Sequence, residues 1–134
     1  AEGDRRNLVG VPEKVLVLHF FDPQAADLSE QEAAAKFTAT VSNDPMIDMI
    51  FIAQAPSWEG VEAVAQTVGI PAGNLYLDQN AKTGDLCGVR RIPETLVFDP
   101  AGFLAYQARG SVPWAGQSIR AQIERAKGGV DEIH

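Results

Sequence analysis

One thiol, two imidazoles and scattered carboxylates are the side chains of this 134-residue chain that could do chemistry. The thiol is Cys87, the only cysteine, so no disulfide can form within the chain. As a thiolate it would be a nucleophile toward a peroxide or a disulfide, and nearby Arg90 and Arg91 would favour that ionised form. It has no second thiol to resolve a mixed disulfide, although it could pair with another molecule. Free cysteine is also commonly buried and inert, and both readings stand. The histidines are His19, inside an apolar run, and His134 at the end. Two distant histidines, one cysteine and no clustered acids give no metal-ligand spacing, so no metal is expected. His19 reads as a hydrogen-bonded structural residue. No serine sits in a Gly-x-Ser-x-Gly elbow, and no glycine-rich loop follows a strand to cradle phosphate. No cofactor is expected.

The charge balance removes another class. Asp and Glu number 18 against 11 Lys and Arg, a net charge of −7. The arginines form no basic stripe, so the electrostatic term that carries nucleic-acid binding is missing. Apolar residues make up 46% of the chain, enough for a core without a metal or disulfide staple. No apolar run is long enough to span a membrane, and no signal peptide is seen in this chain. The length suits one domain over 1–134, with residues 1–12 as an N-terminal arm and 128–134 as a frayed tail.

The elements that must position these side chains are well marked. Val15–Phe21 is apolar except for His19 and reads as a central strand ended by Asp22-Pro23. Ser29-Glu30-Gln31-Glu32 has the form of a capping box with Leu28 as its staple. The helix it opens runs to about Val41, with Ala33, Ala34, Phe37 and Val41 on one face. Asp22 with Pro23 is a rival helix start. Met46–Ala53 is a second strand. Ser57 would cap a second helix carrying Trp58, Val61, Val64, Ala65 and Val68, closed by Gly69 and Pro71. Asn74–Leu77 reads as a short strand and Ala81–Cys87 as a short helix. Thr95–Asp99 and Phe103–Arg109 form a hairpin across Asp99-Pro100-Ala101-Gly102, which suits a type I turn. Ala115–Lys127 is a last helix with Ile119, Ile123 and Ala126 on one face. Trp58 and Trp114 read as packing residues, Trp114 with an edge exposed. The order is β-α-β-α-β-α-β-β-α. It predicts an α/β fold with a central mixed sheet flanked by helices on both faces, parallel at first and ending in an antiparallel hairpin.

The stretch GVRRIPETLVFDPAGFLAYQARG, Gly88–Gly110, resembles the second half of the thioredoxin fold. It looks most like the TlpA/ResA/CcmG (DsbE) group of extracytoplasmic thiol–disulfide proteins, through its Gly-Val-x-x-x-Pro-Glu-Thr pattern. The resemblance extends over about Val15 to Lys127. It implies that the Ile92–Pro93 peptide is cis and turns backbone polar groups toward a substrate strand; by local sequence alone a trans proline opening a strand would serve. VLVLHFFDPQAADL is similar to the group's first strand and the loop carrying aromatic–Cys-x-x-Cys. Setting Phe20-Phe21 on the aromatic pair places Gln24 before the first cysteine position, and Ala25 and Leu28 at the two cysteine positions. Neither side chain has a sulfur to ionise, so dithiol exchange is not expected here. Glu94, after the proline, is a buried carboxylate by the resemblance and a solvated strand-start residue by local reading.

The resemblance therefore implies a redox scaffold without its dithiol. The leading function is a non-catalytic module that binds a protein or an extended peptide segment, in an extracytoplasmic, periplasmic-type redox or cytochrome-maturation setting. Its groove would be lined by Gln24, Ala25, Leu28, Ile92, Pro93 and Glu94. The alternative is an oxidoreductase or peroxidase-like enzyme acting through Cys87. A third reading is a structural subunit of a larger assembly.

Overall fold

Every side chain of β1, Val15–Phe21, is buried. The reason is its place at the centre of a five-stranded sheet of order β3-β2-β1-β4-β5. The computed structural model describes residues 14–89, 91–114 and 116–128. The N-terminal arm 1–12, Arg90 and the tail beyond Gly128 lie outside them. The helices are α1 (Ser29–Val41), α2 (Val61–Val68), α3 (Lys82–Leu86) and α4 (Ser118–Lys127). The other strands are β2 (Ile47–Gln54), β3 (Leu75–Asp78), β4 (Glu94–Phe98) and β5 (Leu104–Arg109). β1 pairs parallel with β2 and antiparallel with β4. β2 and β3 run parallel, and β4 and β5 antiparallel. This is the predicted element order and the predicted mixed sheet.

Alternation along β1 divides the apolar interior in two. Val15, Val17 and Phe21 join Phe37, Val61, Ala65, Ile119 and Ile123 in the larger cluster, which α1, α2 and α4 cover. Leu16, Leu18 and Phe20 join Ile50, Ile52, Val89 and Leu96 in the smaller one. The segment after α3 closes that side through Cys87, Val89 and Ile92. Asp78 fixes α3 in place. Its carboxylate accepts the Thr83 and Gly84 amides at 2.7 and 2.9 Å and the Gln54 side-chain amide at 2.9 Å. A Cβ on Gly84 would lie 2.5 Å from Gln54 Nε2, so a larger residue there would push that amide off Asp78. The hairpin turn forms as expected: the Gly102 amide donates to the Asp99 carbonyl at 2.9 Å, and Asp99 Oδ1 accepts from Ala101 and Phe103.

Several local signals were overruled. The capping box does not form, and α1 opens without a side-chain cap from its N-cap residue, Leu28. The Ser29 amide instead donates to Asp27 Oδ1 at 2.9 Å. Glu30, in the same first turn, is drawn elsewhere: its Oε2 accepts from the Val112 amide at 3.0 Å and from Trp114 Nε1 at 2.6 Å. The inward face of α1 is Gln31, Ala34, Ala35, Phe37, Thr38 and Val41, with Ala33 at its edge. Ser57 does not cap α2; its hydroxyl accepts the Glu59 amide in a turn, and Gly60 at φ 77° holds the chain out of the helix until Val61. Trp58 is therefore 44% exposed, whereas Trp114 is 3% exposed, the reverse of the expected pair. α4 begins at Ser118 rather than near Ala115.

Glu30 thus ties α1 to the segment after β5 with one carboxylate and two donors. Glu30→Ala strands a buried indole N–H and a buried amide. It should cost about 2 kcal/mol in urea unfolding, and Glu30→Gln, which keeps one acceptor, about half of that.

Candidate functional site

The site is built at the carboxyl end of β1. There the chain turns through Asp22–Leu28 before α1 begins. Asp22 makes that turn: its Oδ1 accepts the Gln24 amide at 2.8 Å and its carbonyl the Ala25 amide at 3.1 Å. Across from it, the Ile92–Pro93 peptide, which is cis, leads into β4. The Pro93 carbonyl is held by the Gly110 amide at 2.8 Å, which joins this corner to the end of β5. Between the two lies a cleft of about 440 Å³. Phe21, Ala25, Ala33, Ile92 and Pro93 are its apolar lining, and Asp22, Asp27, Ser29, Glu30, Gln31 and Ser111 its polar lining.

Of the six groove residues expected from sequence, Ala25, Ile92 and Pro93 come together in this cleft. Gln24 lines a neighbouring one with Pro23, Pro56, Glu59 and Val61. Leu28 packs against the larger core cluster. Glu94 is fully buried, so it is not the solvated strand-start residue of the local reading. Its Oε2 meets Gln107 Nε2 and, at 3.4 Å, Arg109 Nε; its Oε1 has no partner among the described residues. Sequence reasoning missed Asp27, Gln31 and Ser111. Asp27 had a local signal, since an Asx turn before a helix is a common device. Gln31 and Ser111 had none, because only the folded chain brings them together.

Behind the cleft stands a buried polar chain. His19 is 0% exposed, with Nε2 3.0 Å from Gln31 Oε1 and Nδ1 2.9 Å from Thr95 Oγ1. Gln31 Oε1 can only accept, so Nε2 carries a proton. Burial lowers the ring's pKa, against the opposing pull of Gln31 and of the Glu30 charge. The ring is therefore neutral, and Nδ1 accepts from the Thr95 hydroxyl. No described residue accepts from Gln31 Nε2.

Cys87 stands apart from the cleft, half-buried against the smaller core cluster. Burial raises its pKa, and the Asp78 charge raises it further. The expected activation by arginine is absent among the described residues: Arg91 is exposed, and Arg90 lies outside them. No group of three or more possible metal ligands occurs among the described residues.

The architecture is shared with solved proteins. DsbF of Mycobacterium tuberculosis superposes with a TM-score of 0.74 at 16% identity, covering 90% of this chain and 84% of that one. A secreted disulfide oxidoreductase of the same organism, homologous to Escherichia coli DsbE, gives 0.67 at 12%, over 85% and 83%. A thiol:disulfide interchange protein of the thioredoxin family from Chlorobium tepidum gives 0.71 at 18%, over 87% and 81%. The fold is thioredoxin-like. No family model and no curated protein matches the sequence. The neighbours are thiol–disulfide proteins by name, whereas this thioredoxin-like chain has one cysteine and so no Cys-x-x-Cys pair.

Two outcomes follow from these environments. A ring kept neutral in the fold but protonated in the unfolded chain favours unfolding once pH drops below its free value, about 6.5. Stability should be complete above that value. It should fall as pH is lowered, by up to about 1.4 kcal/mol per unit until the folded ring titrates. Urea midpoints at pH 7.5 and 5.5, with an imidazole NMR titration placing His19 below the free value, check this. For Cys87, each unit by which the thiol pKa is raised cuts the thiolate about tenfold. Alkylation by iodoacetamide at pH 7.5 should be slower than that of glutathione and should accelerate with pH.

Proposed function

We propose that this protein is a thioredoxin-fold binding module, not a dithiol enzyme, and that it holds an extended segment of a partner protein between the 22–28 loop and the Ile92–Pro93 turn. The observation that carries the reading is a formed cleft with unspent backbone groups and no sulfur in its lining. No described residue hydrogen-bonds to the amide or carbonyl of Ile92. Such a pair of groups on one wall of a cleft is what an added strand uses for affinity, while adjoining pockets take alternate side chains. By the resemblance, Ala25 and Leu28 stand where the thiol–disulfide proteins carry their cysteines. Transfer of function from fold alone is analogy, so the weight rests on the cleft.

The setting proposed is extracytoplasmic, in a redox or cytochrome-maturation context. It is supported by the TlpA/CcmG resemblance and by a structural neighbour described as secreted. No described helix is long and apolar enough to cross a membrane. The rival reading, catalysis through Cys87, has no second thiol and a thiol held in its protonated form.

Carbamidomethylated insulin B chain, an unfolded segment without free thiols and without charge added at its cysteines, serves as a probe in fluorescence polarisation. Ala25→Phe and Ser111→Phe, which fill the cleft from two sides, should each weaken its binding at least about tenfold, the loss of roughly 1.4 kcal/mol. Unchanged binding in both folded variants refutes the groove. Insulin reduction should not exceed the buffer rate, and a rate abolished by Cys87→Ser would install the enzyme reading instead.

A further inference from the structure

The polar wall of the cleft says what kind of segment it takes. Asp22 and Asp27 are exposed, Glu30 is half-buried, and no lysine or arginine is among the lining residues. The adjoining cleft beyond Gln24 adds Glu59 and again no cation. Asp22 and Asp27 each spend Oδ1 on a loop amide, and neither forms an ion pair with a described residue. Both walls are therefore unlike each other: carboxylates on one side, Ile92 and Pro93 on the other. A second feature gives a ligand something to bond. Gln31 is 3% exposed, it lines this cleft, and its Nε2 donors have no partner among the described residues. That nitrogen is not among the buried unpartnered atoms, so its donors open on the cleft, where a ligand or water can accept from them.

We infer that the segment bound in this cleft is cationic and apolar in alternation: lysine or arginine toward Asp22 and Asp27, an aliphatic side chain toward Ile92 and Pro93, and a backbone carbonyl on Gln31. This rests on the binding-module reading and names its partner's chemistry. Complementary charge steers encounter and rejects wrong partners more than it adds affinity. The acidic wall therefore excludes anionic segments as firmly as it admits cationic ones. The Ser29 amide holds the Asp27 pKa down, so that carboxylate stays ionised at neutral pH. The groove between α1 and α4 is the built-in contrast, since Lys36 and Arg120 line it together with Glu32.

Three labelled heptapeptides test this: Gly-Val-Lys-Val-Lys-Val-Gly and its counterparts with Gln or Glu replacing both Lys. Polarisation at low salt should rank them Lys, Gln, Glu, with at least tenfold between the ends. Asp22→Asn/Asp27→Asn keeps the amide oxygens that hold the loop. It should shrink that ratio below threefold and leave Gln-peptide binding in place. Salt at 0.5 M should do the same to the wild type, because exposed charges are screened. Equal affinities that all fall with Ala25→Phe overturn the charge preference and keep the groove. Binding of all three that ignores Ala25→Phe and Ser111→Phe, or no binding at all, overturns the groove itself. A Lys preference that survives the double Asn variant overturns the assignment to these two carboxylates.

Discussion

His19 is the polar group that the rest of the site is arranged around. A central strand buried on both faces has no water to offer, so a ring placed there must stay neutral and find two partners. Thr95 on the adjacent strand supplies one and Gln31 on α1 the other. That second bond reaches far. It fixes which way the Gln31 amide points, with the oxygen inward and the nitrogen left for the cleft. It also helps decide the rotation of α1, because Gln31 must face the sheet. Phe21, Phe51 and Trp114 close around the ring, with centroids 5.5–6.2 Å from it. Trp114 in turn donates to Glu30, one residue before Gln31. A single buried imidazole therefore couples the floor of the cleft to the core and to the segment after β5.

That coupling explains which parts of the chain were legible. The element order, the hairpin turn, the Gly69 stop and the Ile119–Ile123–Ala126 face are written in short-range spacing, and the fold obeys them. The start of α1 was misread because its signal is local and its outcome is not. Ser29-Glu30-Gln31-Glu32 satisfies the capping-box pattern, but the box would rotate the first turn for local bonds worth about 1 kcal/mol. Gln31 on a buried histidine and Glu30 on an indole and an amide outweigh that. The start of α2 fails for a different reason. Ser57 has the right side chain, but the left-handed Gly60 interrupts the chain before a helix can begin. With Trp58 ahead of the break, the apolar stripe that appeared to include it loses its first member.

The candidate site was half legible for the same reason. Ala25, Ile92 and Pro93 were identified by their likeness to a known loop pair, and they do line one cleft. Leu28 and Glu94 lie outside the cleft, because the first, partly buried, packs on the larger core cluster and the second is buried on β4. Nothing in a linear reading separates a residue that lines a cleft from its neighbour that supports it. Cys87 shows the converse. Two arginines in sequence suggested activation, whereas among the described residues the charge that acts on the thiol is the carboxylate of Asp78.

The electrostatics of the cleft argue against thiol chemistry more broadly than the missing sulfurs do. A nucleophilic thiolate at the head of a helix depends on positive potential there, from the helix N-terminus and from nearby cations. In this chain the loop before α1 carries Asp22 and Asp27, and the first turn carries Glu30 and Glu32. The Ser29 amide, one of the donors that would favour an anion, is already bonded to Asp27. A cysteine placed at residue 25 would face carboxylates and no described cation in the lining, which would disfavour its thiolate. The same potential that disfavours a thiolate favours a cationic side chain from outside. The proposed preference for a basic segment would rest on that arrangement of charge.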